Sequence, residues 1–184
     1  MNFTSQIGQD KLVMEILNNK RNGTFIEIGC NRPIHISNSC YLEKEMGWCG
    51  IGIDIKEISE DDGQKWKDVR PNTILVIQDA LTINYSELFK KYNMTTTIDF
   101  LSMDLSPADK TLECLYKIPF NEYKFRVITY ETDSFRLEDG IGGAERRRIS
   151  REFFKSMGYT LFKELGMKTK GANVGWNQDD VYVL

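Results

Sequence analysis

Short apolar, β-branched runs alternate along this chain with segments whose apolar residues recur at helical spacing. Ile7, Leu12, Val13, Ile16 and Leu17 lie close to that spacing between Ser5 and Asn19, so residues 1–22 read as an N-terminal helical segment closed by Asn22-Gly23. A strand is expected over about 24–29, then an irregular turn around Pro33 and a helix capped at Ser37 or Asn38 and ending near Gly47. Further strands are predicted over about 50–55, 73–77, 97–104 and 125–131. Helices are predicted through Lys65-Trp66-Lys67, from Tyr85 to Tyr92 and from Ala108 to Tyr116. Five strand–helix alternations imply an α/β fold with a doubly wound, mostly parallel sheet and helices on both faces. A helix through Arg148 to Met157, a strand near Tyr159–Lys163 and a terminal strand in Val181-Tyr182-Val183-Leu184 bring the expected count to about seven strands. The glycines of Asp139-Gly140-Ile141-Gly142-Gly143 mark residues 138–147 as a mobile loop, read as a lid or as an ordinary surface connection.

A length of 184 residues suits a single domain, and no repeat or linker divides it. With 41% hydrophobic and 28% charged residues, the chain has neither a disordered nor a fibrous composition. The net charge of −3 argues against a general nucleic-acid binder, although Arg146, Arg147, Arg148 and Arg151 form a local basic cluster. That cluster suits either an anionic group on a substrate or a solvated helix face. No apolar run approaches the ~20 residues of a membrane span, and Met1 to Gln6 lack the core of a secretion signal, so a soluble cytoplasmic protein is expected. Cysteines 30, 40, 49 and 114 form no C-x-x-C pair, and there is one histidine, so buried reduced thiols are expected rather than a zinc site.

The chemistry concentrates at two strand ends, Phe25-Ile26-Glu27-Ile28-Gly29-Cys30-Asn31 and Gly50-Ile51-Gly52-Ile53-Asp54. Gly29 would let a ligand approach the backbone, and Asp54 is placed to accept from two ribose hydroxyls. The spaced glycines of a dinucleotide fingerprint are missing after Gly29, which disfavours a nicotinamide oxidoreductase and favours S-adenosylmethionine. Asp79, beside Ala80 at the third strand's end, would meet adenine or simply cap a turn. His35, the lone histidine, is a candidate base or a structural residue. Trp176 suits either stacking on a sugar ring or packing.

The ordered motifs resemble the FkbM family of methyltransferases over nearly the whole chain. They are Ser5-Gln6-Ile7-Gly8-Gln9-Asp10, Phe25 to Gly29, Asn38-Ser39 with Leu42-Glu43, Gly47 to Asp54, Ile98 to Asp104, Tyr130-Glu131-Thr132-Asp133, and Ser150-Arg151-Glu152 running into Ser156-Met157-Gly158-Tyr159. The resemblance implies a Rossmann-like class I fold and transfer of a methyl group from S-adenosyl-L-methionine to an oxygen of a saccharide or glycan precursor. It implies cofactor contacts from Gln9, Glu27, Gly29, Asn31, Asn38, Ser39, Asp54, Asp79, Ala80 and Asp104. Asp104, Glu131 and Asp133 end neighbouring strands and suit either an Mg²⁺ ion that acidifies a sugar hydroxyl or, without metal, a general base at Asp104. Ser106, Asp109 and Thr132 depart from the family's acidic and histidine positions, which leaves a catalytically impaired cofactor-binding module as an alternative. An exposed edge strand leaves a homodimer open.

Overall fold

Apolar strands of this kind bury both faces and therefore pair in parallel beneath flanking helices. In a computed structural model, which describes residues 2–132, 142–167 and 176–184, seven strands form one sheet. The strands β1 (Thr24–Ile28), β2 (Cys49–Asp54), β3 (Thr73–Ile77), β4 (Thr97–Met103) and β5 (Lys124–Glu131) are all parallel. The strands β6 (Thr160–Met167) and β7 (Trp176–Val183) complete the order β3-β2-β1-β4-β5-β7-β6, with β7 antiparallel to both neighbours. Chain order reverses between β1 and β4, so the carboxyl ends of these strands flank a topological switch point, the place where such sheets bind ligands.

Helices cover both faces. On one, Leu12 and Val13 of α1 (Gln9–Ile16) and Leu42 and Met46 of α2 (Cys40–Met46) pack with Phe25, Phe100, Val127 and Val181. On the other, Phe89 of α4 (Tyr85–Lys91), Leu112 and Leu115 of α5 (Ala108–Leu115) and Phe154 of α6 (Gly143–Ser156) join Ile28, Leu101, Met103 and Ile128. A short helix α3 (Trp66–Val69) precedes β3. No helix among the described residues is long and apolar enough to cross a membrane.

Two departures from the periodicity have physical causes. The N-terminal helix begins at Gln9, because Gly8 takes φ 88° and the Asp10 carboxylate gathers the backbone amides of Thr4 and Ser5 and the Ser5 hydroxyl into a clasp. Helix α6 begins at Gly143, before the expected start at Arg148. Its buried positions are Gly143, Arg146, Ser150 and Phe154, a helical stripe that is mostly not apolar. Residues 143–147 are thus helical, whereas residues 138–141 of the glycine loop, Asp133 and the Trp176 side chain lie outside what the structure describes. Of the four free cysteines, Cys30, Cys40 and Cys114 are buried as expected, but Cys49 is exposed at the start of β2.

Candidate functional site

The strand ends meet in a cleft of about 430 Å³. Gln9, Glu27, Gly29, Asn31, Asn38, Asp54, Asp79, Ala80 and Asp104 all line it, so nine of the ten expected cofactor contacts come together. Gln6, Ile36, Ile55, Leu105, Ser106 and Lys110 also face it. Most of these lie within a few residues of a strand end, where no periodicity marks them.

Gly29 is required for a reason other than ligand approach. Its φ is 82°, and a methyl group there would overlap the backbone carbonyl of Asp104, so the glycine lets the β1 and β4 ends close on each other. Asp54 ends β2 and accepts from the amides of Asn31 at 2.9 Å and Ile55 at 2.8 Å, one strong bond to each oxygen. A carboxylate has about four acceptor sites, so both oxygens keep capacity for ribose hydroxyls. Asp79 caps a 3-10 turn through one oxygen, which accepts from the Leu81 amide at 2.9 Å, and still lines the cleft. The Asp104 carboxylate also lines it and has no partner among the described residues.

Glu27 is a scaffold group as well as a wall. Its buried carboxylate accepts from the Asn38 amide at 2.7 Å and from the hydroxyls of Ser37 and Ser39, fixing the loop that follows β1. Ser39 is fully buried, engaged with Glu27 and the Arg70 guanidinium, and does not reach the cleft. Asn38 donates through Nδ2 to Ser102 Oγ at 2.9 Å, while its buried Oδ1 has no partner among the described residues. Such an orphan acceptor in a ligand cleft suits an incoming N–H donor, and the α-ammonium group of S-adenosylmethionine is one.

Burial raises the Glu27 carboxyl above the ordinary 4.5, and the Arg70 charge and the hydrogen bonds from Ser39, Asn38 and Ser37 offset this only in part. The folded chain therefore holds that proton to higher pH than the unfolded chain does. The resulting contribution to stability is complete below the unfolded value and is lost as pH rises through the folded one. The thermal midpoint of the wild type relative to Glu27→Gln is expected to fall as pH is raised from about 4 through this range. A constant difference across the pH series would contradict the assignment. Burial likewise pushes the Cys30 thiol well up, with Glu27 and Asp54 adding in the same direction, so this cleft thiol stays protonated and is no nucleophile.

One expected site is corrected, and one reading left open by the sequence is narrowed. His35 is exposed and faces a separate depression with Glu60, Asp61 and Asp62, because the Glu60 carboxylate binds the amides of Ile34 and His35 and turns this part of the loop outward. His35 is therefore not brought to the cleft. The four arginines form no free anion site: Arg146 pairs with Asp109, Arg147 and Arg151 converge on the buried Asp180, and Arg148 pairs with Glu145 and Glu152. Burial would raise the Asp180 carboxyl, but the hydrogen bonds from Arg151 and Arg147 outweigh it and hold the group low.

Glu131 follows Tyr130, the register partner of Met103, and so ends β5 beside Asp104; its side chain is buried and is not part of the cleft wall. Among the described residues no cluster of three His, Cys, Asp or Glu side chains is arranged for a metal, and the third member of the expected triad, Asp133, lies outside them. Thr132 is buried.

No family model matches the sequence, and no curated protein matches it. Solved structures do. A Clostridium thermocellum protein assigned as an rRNA methylase aligns over 98% of both chains with a TM-score of 0.56 at 13% identity. Aeropyrum pernix fibrillarin, crystallised with natively bound S-adenosyl-L-methionine, aligns over 95% of this chain and 74% of its own with a TM-score of 0.55 at 10% identity. The chain has the class I methyltransferase fold. A Geobacter metallireducens precorrin-6y C5,15-methyltransferase shares it, with a TM-score of 0.52 at 13% identity over 94% of this chain and 85% of its own. At such identities the likeness is one of fold, and within this methyltransferase fold the cleft lies at the carboxyl edge of the sheet, across the switch point.

Proposed function

We propose that this chain transfers a methyl group from S-adenosyl-L-methionine to a hydroxyl oxygen, that of a saccharide or glycan precursor. The observation that carries the reading is the pairing, in one cleft, of Asp54 with its spare acceptor capacity and Asp104 with no protein partner among the described residues. Asp54 would hold the ribose, Asp79 and Ala80 the adenine, and the orphan Asn38 Oδ1 the ammonium group of the methionine end. When bound, the cofactor supplies a methyl carbon made electrophilic by its sulfonium. Asp104 is the base that takes the acceptor's hydroxyl proton.

The acceptor assignment is supported by the resemblance to FkbM methyltransferases and by charge. Several proteins of this fold act on RNA, but here the cleft wall carries four carboxyl residues, Glu27, Asp54, Asp79 and Asp104, against two lysines, Lys56 and Lys110, and the arginine cluster is engaged in internal ion pairs. A neutral acceptor fits that wall better than a phosphodiester chain.

Calorimetric titration with S-adenosylhomocysteine beside NAD, followed by transfer of labelled methyl to sugar acceptors with Mg²⁺ or with a chelator, tests the proposal. Saturable S-adenosylhomocysteine binding with transfer supports it, binding without turnover on any acceptor favours the impaired module, and preference for NAD overturns it. Asp104→Asn is expected to lower transfer by about a hundredfold, as removal of a general base does, while S-adenosylhomocysteine still binds.

A further inference from the structure

Six non-glycine residues among those described have positive φ; five are asparagines, and the sixth is Ile36, at 56°. Asparagine tolerates this conformation, whereas for a β-branched residue it is a true outlier. An outlier persists only where its surroundings over-determine it. Ile36 is held in that way. On one side the Ile34 and His35 amides donate to Glu60 at 2.6 and 3.0 Å. On the other the Asn38 amide donates to Glu27 at 2.7 Å, and the Thr4 hydroxyl donates to the Ser37 carbonyl at 3.0 Å. Across the top, Ser5 of the N-terminal clasp forms a parallel bridge to Ile36 itself. For all this restraint, the side chain remains 38% exposed and lines the cleft. The fold thus spends its restraints on an isoleucine that contributes little to either core cluster.

The cleft has two ends. Asp54, Ile55, Asp79 and Ala80 gather at the ends of β2 and β3, while Gln6, Gln9, Ile36 and Asn38 come from the N-terminal segment and the loop after β1. If the nucleoside occupies the first end, the methionine arm occupies the second, beside Asn38 Oδ1. That arm is a chain of methylenes ending in charged groups, and an apolar wall that keeps water from it is what the second end needs. We infer that Ile36 is a cofactor-binding residue that holds the methionine arm, and that its left-handed backbone is the means of turning it into the cleft. This rests on the proposed function.

Glycine adopts positive φ without strain, so Ile36→Gly removes the side chain while relieving the backbone. The test is titration of wild type, Ile36→Gly and Ile36→Val with S-adenosylhomocysteine and with adenosine, together with thermal midpoints. Ile36→Gly is expected to bind S-adenosylhomocysteine about tenfold more weakly, to bind adenosine as the wild type does, and to melt at or above the wild-type midpoint. Ile36→Val should retain most of the affinity. Unchanged S-adenosylhomocysteine affinity in Ile36→Gly, or a parallel loss of both ligands, would overturn the inference. A wild type that binds adenosine but not S-adenosylhomocysteine refutes a methionine-arm site alone; a wild type that binds neither refutes the proposed function and this inference with it.

Discussion

Replacing Asp54 by alanine is expected to weaken S-adenosylhomocysteine binding by about 10²- to 10⁴-fold, because in the proposed complex two charge-assisted hydrogen bonds to ribose, each about 1.5–3 kcal/mol, would be lost together. The location of the carboxylate makes the effect specific to the ligand. Its present partners are the amides of Asn31 and Ile55 and, more weakly at 3.5 Å, that of Lys56, whose bonds to it lie at the exposed surface, so water replaces the side chain there at small cost to the fold. The thermal midpoint should therefore move little while affinity collapses. Isothermal titration and a melting curve on the same preparation separate the two quantities. Retained affinity would remove the ribose from Asp54, and a large drop in melting temperature would make the residue a structural one.

The strands and their parallel pairing were legible because Thr24 to Ile28, Cys49 to Asp54 and Thr97 to Met103 are apolar runs that only a doubly covered sheet can bury. Asp54, Asp79 and Asp104 were legible for a related reason: a polar residue that closes such a run must emerge at the sheet's carboxyl edge. What failed was whatever depends on a side chain's partner. His35 and Asn38 sit three residues apart in one loop, and only the separate carboxylates Glu60 and Glu27 decide which portion turns out and which turns in. The arginines of α6 looked available for an anion because Asp180, which Arg147 and Arg151 bind, lies some thirty positions away and enters through the antiparallel β7. Gly29 was read as a place for close ligand approach, but what demands the glycine is the Asp104 carbonyl, just past the end of β4 and about seventy-five residues further on. Ile36 carries no signal at all in a single sequence, since its meaning lies in its φ.

Arg70→Ala is expected to cost about 3–5 kcal/mol of stability, a large part of the roughly 5–15 kcal/mol that holds an ordinary domain together. The Arg70 side chain is completely buried and serves the whole base of the loop that follows β1. Its guanidinium pairs with Glu43, donates to the Pro33 carbonyl at 2.7 Å, to Ser39 Oγ at 2.7 Å and to Thr73 Oγ1 at 3.1 Å, and lies 5.0 Å from the Trp66 ring centroid. Truncation strands the Glu43 carboxylate, itself only 2% exposed, with no compensating cation. Arg70→Lys keeps the charge without the planar fork and should recover only part of the loss. The double variant Arg70→Met, Glu43→Leu removes both charges and should be more stable than Arg70→Ala, because an apolar pair leaves no buried ion behind. Urea denaturation of the three variants checks this order, and a double variant no better than Arg70→Ala would contradict the ion-pair account. The Arg70 charge is also the main influence opposing the effect of burial on Glu27, so its loss should shift the protonation of Glu27 to still higher pH. Arg70 donates to Ser39, Ser39 donates to Glu27 and Glu27 accepts from the Asn38 amide, so the variant should bind S-adenosylhomocysteine more weakly under conditions where it remains folded.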